Sequence, residues 1–195
     1  MNLGEPFGGL IPGARGAALA VLLRTGAPLT GRRVHALVSD RHSLGAVQQA
    51  LRELDRLGLI TTETVGRAGV HRINEGHAAI APLRALASPI DILTRVVQEA
   101  VSGVDTVIVF GSVARGEAHA DSDIDLMVIA PAAWAGRADL QQQVQEGLGN
   151  DCDVLHLTRE HFDLAPEDRE PVVSEVLRDG IALVGKMPRR TRVAS

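Results

Sequence analysis

The chain has 195 residues, 45% of them hydrophobic and 23% charged, with a formal net charge of −4. This is the composition of an ordinary globular protein, with enough residues for one large domain or two small ones with real cores. No apolar run approaches the roughly 18 residues that a membrane-spanning helix needs, so no membrane partner is expected.

The opening segment MNLGEPFGGLIPGARG lacks a basic start followed by an apolar core and does not read as a signal peptide. The single cysteine, Cys152, cannot form an internal disulfide and points to a reducing compartment, so a cytoplasmic location is expected. Charge is unevenly spread. Residues 1–88 carry ten arginines against six acidic side chains, whereas residues 89–195 carry ten basic against eighteen acidic ones. A basic first half suits nucleic acid; an acidic second half suits metal ions or a cationic partner surface.

Residues 1–12 show no periodicity and read as a loose arm. A first helix is expected from Ala14 to Arg24, stopped by Thr25-Gly26-Ala27-Pro28. A shorter helix starts after Thr30, with Val34, Leu37 and Val38 on one side. A third runs from about Leu44 to Leu57, its buried stripe made by Leu44, Val47, Leu51, Leu54 and Leu57, with Gly58 as its stop. Two β-prone stretches, 59–65 and 70–73, flank the turn Gly66-Arg67-Ala68-Gly69 and predict a hairpin. Ala-rich residues 77–87 read as a connector, and Ser88-Pro89 as the start of a helix to about Ser102. Strands are then expected at Val104–Phe110, Ile124–Ile129 and Val154–Leu157, with helices at 137–148 and 168–179, the last stopped by Gly180.

The segment FGSVARGEAHADSDIDLMVI, residues 110–129, concentrates the chemistry. Asp123 and Asp125 stand two apart at a strand start, so both carboxylates point to one face. Like charges held that close are relieved by a bound cation, and Mg²⁺ is commonly held by one or two carboxylates plus substrate phosphates. Asp153 opens the next strand and supplies a third carboxylate, with Asp151 its nearby rival. Gly111-Ser112 sits between strand and helical turn, where the backbone can approach a phosphate closely. Arg115 adds a positive charge. Together these form a phosphate cradle facing a metal site, the equipment for attack on phosphorus with pyrophosphate leaving.

Gly-Ser, the ten residues Val113 to Ser122, then Asp-x-Asp resembles the signature of the DNA polymerase beta-type nucleotidyltransferase superfamily. The Ala-Arg-Gly at 114–116 and Ser-Asp-Ile-Asp-Leu at 122–126 most resemble its minimal nucleotidyltransferase (MNT) branch. The likeness covers about residues 90–186. It implies an α/β (α+β) domain with a mixed sheet flanked by helices, in which Asp123 and Asp125 bind two Mg²⁺ ions with Asp153 as the third acidic ligand. It also implies that Asp153 helps activate the attacking hydroxyl, and that Gly111, Ser112, Arg115 and Ser122 hold a nucleoside triphosphate, ATP by preference. Members typically transfer a nucleoside monophosphate, and some are antitoxins that adenylylate a HEPN-type toxin encoded next door. The acceptor, such a toxin or another protein or small-molecule hydroxyl, must come from outside. With no tyrosine in the chain, self-adenylylation on tyrosine is excluded.

The first half resembles the winged helix-turn-helix of bacterial transcription regulators, which implies double-stranded DNA as partner and, at family level, a homodimer. The third helix turns Ser43, Gln48, Gln49 and Arg52 outward, where Gln can read adenine and Arg guanine or phosphate. Arg41, His42, Arg67, His71 and Arg72 would meet backbone phosphates. The domains expected are therefore 13–80, DNA-binding, and 88–186, nucleotidyltransferase. A rival reading keeps the fold but not the reaction: a transcription regulator whose nucleotidyltransferase fold senses nucleotide.

Overall fold

The computed structural model describes residues 1–164 and 171–188. The chain divides into two compact units, Glu5–Pro89 and a second formed by Ile90–Ser195 together with Met1–Gly4.

In the first unit, helix α1 (Gly13–Thr25) carries an unbroken buried run from Ala18 to Leu23. A helix apolar on all sides belongs at the centre of a core rather than on its surface. Strand β1 (Leu29–Thr30) leads into α2 (Gly31–Ala36), and α3 (Leu44–Arg56) follows, burying Val47, Ala50, Leu51 and Leu54. The Ser43 hydroxyl caps α3 by accepting from the Ala46 N–H at 3.3 Å. Gly58, at φ 74°, ends it, and the Leu59 N–H turns back to the Leu54 carbonyl at 3.1 Å. The hairpin β2 (Ile60–Val65) and β3 (Ala68–Ile73) is antiparallel, and β1 adds to its free edge to give the order β1-β3-β2.

Several expectations need correction here. Leu37 and Leu57 are 47% and 53% exposed, because each is the residue after its helix, where the buried stripe has left the axis. Residues 77–87 are more than a connector: they contain α4 (Ile80–Leu86), whose Ile80 is buried in the first unit's core. The opening residues are not a loose arm either. Phe7 is buried in that same core, within a 3-10 turn at Pro6–Gly9, and Leu3 is buried in the core of the second unit.

The second unit opens with α5 (Pro89–Ala100). It continues through β4 (Thr106–Phe110), α6 (Gly111–Ala114), β5 (Ile124–Ile129), α7 (Arg137–Leu148) and β6 (Cys152–Leu157). It closes with α8 (Arg159–Leu164), α9 (Pro171–Asp179) and β7 (Ile181–Val184). The sheet order is β6-β5-β4-β7. β5 pairs antiparallel with β4 and parallel with β6, so the sheet is mixed, as expected. Both faces of the central strands are covered. Val107, Val109, Leu126 and Val128 join the core shared with Leu93, Val97, Leu140 and Val144. Ile108, Met127 and Ile129 join the other, with Phe162, Val173 and Val176. That two-sided burial explains the near-continuous apolar runs in the sequence. The last helix was expected at 168–179, of which 168–170 lie outside the described residues; α8 and β7 were not anticipated. Among the described residues no helix is long and apolar enough to cross a membrane.

Candidate active site

Alternation along β5 sends Ile124, Leu126 and Val128 to one core and Met127 and Ile129 to the other, which puts Asp125 on the α9 side of the sheet. Asp153 is its register partner across the parallel β5–β6 ladder. Asp123 lies one residue ahead of β5, in the loop rather than on the strand. Asp123 and Asp153 are exposed, whereas Asp125 is half-buried. A cavity of about 510 Å³ is lined by Asp123, Asp151 and Asp153 together with Gln141, Gln142 and Gln145 of α7. Asp151 accepts from the Gln145 side chain at 2.9 Å.

The Asp125 carboxyl is held above its ordinary pKa, first by burial and then by the charges of Asp153, Glu175 and Asp123, with Arg115 pulling the other way. Three carboxylates thus act on Asp125. Carboxylate oxygens are the donors a hard divalent cation takes, and the repulsion felt by Asp125 is what such a cation relieves. Among the described residues, no group of three or more His, Cys, Asp or Glu side chains forms a ready-made metal cage. A divalent cation at these carboxylates would need substrate oxygens to complete its coordination shell.

Gly111 begins α6 directly after β4, at φ 68°, in the left-handed region that glycine tolerates. A Cβ there would also meet Asp125 Oδ2, so the carboxylate would have to move. The side chains around it are otherwise engaged. Arg115 Nε donates to Glu117 Oε2 at 2.8 Å, and Nη1 donates to Glu175 Oε1 at 2.5 Å. The Ser122 hydroxyl accepts from the His119 N–H at 2.8 Å, closing the turn before Asp123. The Ser112 carbonyl accepts from the Glu117 N–H at 2.9 Å. Two contributors escaped the sequence reading. Glu175 reaches the patch from α9, sixty residues beyond Arg115. Buried Asn150 donates to the carbonyls of Ala120 and Ser122, both at 3.1 Å, and fixes the loop that delivers Asp123; its Oδ1 accepts from the Met1 ammonium at 2.7 Å.

In the first unit, Gln48, Arg52, Arg67 and Arg72 are exposed on α3, the hairpin turn and β3. Gln48 and Arg67 line a cavity of about 600 Å³ with Arg32 and His71, and no carboxylate lines it. Three of the other expected DNA contacts have partners within the unit. Gln49 donates to Glu53 at 3.1 Å, Arg41 pairs with Glu5 at 3.0 Å, and Ser43 serves as the helix cap.

Residues 93–186 match the family Polymerase beta, Nucleotidyltransferase. No curated protein matches the sequence. A solved toxin–antitoxin complex with AMP-PNP is 22% identical, covering 50% of this chain and 73% of that one, at a TM-score of 0.39. A tri-AMPylated Shewanella oneidensis HEPN toxin in complex with MNT antitoxin matches at 20%, covering 50% and 70%, with a TM-score of 0.34. The DNA-recognition and protein-interaction domains of HOP2 match at 26%, covering 32% of this chain and 100% of that one, with a TM-score of 0.31.

Proposed function

We propose that the second unit transfers a nucleoside monophosphate, AMP by preference, from a nucleoside triphosphate to a hydroxyl on a separate protein or small molecule. The observation that carries this reading is the pairing of Asp125 with Asp153 across adjacent strands beside Gly111, inside the segment that matches the nucleotidyltransferase family. Mg²⁺, held by Asp123, Asp125 and Asp153, would neutralise the triphosphate and polarise the phosphorus under attack. Asp153, exposed at the rim of the Gln-lined cavity, is positioned to accept the proton of an acceptor hydroxyl entering there. Gly111 and Ser112 would take the phosphates through the backbone, and Ser122 keeps the loop before Asp123 in place. On the sequence resemblance, a HEPN-type toxin is a fitting acceptor.

We further propose that the first unit is a winged helix-turn-helix spanning 13–80, reading double-stranded DNA through Gln48 and Arg52, with Arg67 and Arg72 on the phosphates. The support is its order of three helices followed by a hairpin, and a cavity edged by Arg32 and Arg67 without a carboxylate. The test for the transferase is labelled ATP with Mg²⁺ and candidate acceptors. Pyrophosphate release lost in Asp123→Asn supports transfer, whereas tight ATP binding without turnover over any acceptor supports the rival reading of a nucleotide-sensing regulator.

A further inference from the structure

We propose that Glu175 is a positioning residue that holds Arg115 in reserve for the nucleotide: the arginine rests on Glu175 and exchanges it for the triphosphate. This rests on the nucleotidyltransferase reading of the site.

Arg115 directly follows α6, the short helix that Gly111 begins. Its backbone N–H donates to the Gly111 carbonyl at 3.2 Å, so the residue is tied to the backbone beside which a polyphosphate would lie. Two of its nitrogens are occupied, by Glu117 and Glu175. Glu175 belongs to α9, which packs on the same face of the sheet that carries Asp125, and it acts on Asp125 in the opposite sense to Arg115. A carboxylate already in the patch therefore occupies the cation expected to meet the phosphates.

The pair is built to exchange. The two side chains remain 34% and 31% exposed, and an ion pair so open to water and screened by salt is worth little. A triphosphate offers the planar guanidinium several acceptor oxygens and more charge than one carboxylate. Arg115 then passes from Nη1–H···Oε1 of Glu175 to phosphate oxygens, with no covalent change. Glu175 in turn sets how much nucleotide binding costs, because its affinity for Arg115 is what the nucleotide must overcome.

A double-mutant cycle tests this, with an α,β-methylene analogue of ATP and Mg²⁺ titrated by calorimetry into the wild type, Glu175→Gln, Arg115→Ala and the double variant. Glutamine keeps the shape of the side chain and removes its charge. Glu175→Gln should tighten binding roughly threefold to fivefold, the worth of one exposed ion pair. In the Arg115→Ala background the same change should alter Kd by less than about twofold, because the competition it relieves is gone. Equal tightening in both backgrounds would mean that Glu175 merely repels the nucleotide, and it would overturn the proposal. So would unchanged or weaker binding in Glu175→Gln. A wild type that binds no analogue would remove the nucleotide reading along with it, an outcome distinct from normal binding that is insensitive to Glu175.

Discussion

Asp125 and Asp153 are register partners across the parallel β5–β6 ladder, so two carboxylates 28 positions apart in sequence stand side by side on one face of the sheet. Hydrophobic burial on both faces of the sheet fixes this register. A slip of one residue would turn Met127 and Ile129 out of their core and carry Asp125 into the opposite one. The acidic pair is thus enforced by packing that has no chemical role of its own.

That arrangement costs stability when no cation is present. Burial and its acidic neighbours raise the Asp125 pKa in the folded state. The ionised group then opposes folding above that raised value, and the penalty vanishes as pH falls below the unfolded carboxylate range. Asp125→Asn should therefore melt at a higher temperature than wild type at pH 7 in EDTA, with the gap closing as pH falls toward 4. Mg²⁺ should raise the melting temperature of the wild type more than that of the variant. Scanning calorimetry with and without Mg²⁺ checks both statements.

Gly111→Ala should damage fold and site together. The left-handed backbone alone costs an alanine about 1–2 kcal/mol, and its Cβ displaces the Asp125 carboxylate besides. Denaturant unfolding should register at least that loss, and nucleotide affinity should fall with it.

A small pH dependence is expected in the first unit. Thr62 donates its one hydroxyl proton to Asp55 Oδ1 at 2.9 Å, so the 3.0 Å contact to His71 Nδ1 requires the histidine to donate there. Burial lowers the His71 pKa below 6.5, with Asp55 partly opposing the shift. The unfolded chain takes up the proton first, so stability is full above about pH 6.5 and declines as pH falls toward the lowered folded value. Between pH 7 and 5, His71→Gln should flatten the stability profile followed by circular dichroism.

DNA binding should separate two kinds of side chain. Arg72→Ala, at a phosphate contact, should weaken binding across all sequences and lower the slope of log K against log salt by about one. Gln48→Ala should cost about 1–3 kcal/mol on the preferred site and relax its sequence choice. Electrophoretic shifts on the protein's own upstream DNA at two salt concentrations read out the difference.

Much of this was written in local pattern. The 3–4 rhythm of Val47, Leu51 and Leu54 placed α3, and the apolar runs at 104–110 and 124–129 placed the central strands, because burial imposes its period directly on sequence. Elements that owe their existence to tertiary contact left little trace. β1 is two residues long and forms only because β3 offers an edge, and β7 is held by β4. The acidic motif was legible because Asp123 and Asp125 stand two residues apart within a fixed local spacing from Gly111 and Ser112. Glu175 and Asn150 were not, since each reaches the patch through the fold from a helix or turn whose sequence carries no mark of it.

The central claim is most directly tested by pyrophosphate release from ATP, measured with Mg²⁺ in the presence of a panel of hydroxyl-bearing protein acceptors that includes HEPN-type toxins. The account predicts acceptor-dependent release and label transfer, reduced about 100-fold or more in Asp123→Asn, Asp125→Asn and Asp153→Asn, in keeping with the several kcal/mol a catalytic metal site contributes. Release that persists undiminished in all three variants would contradict it.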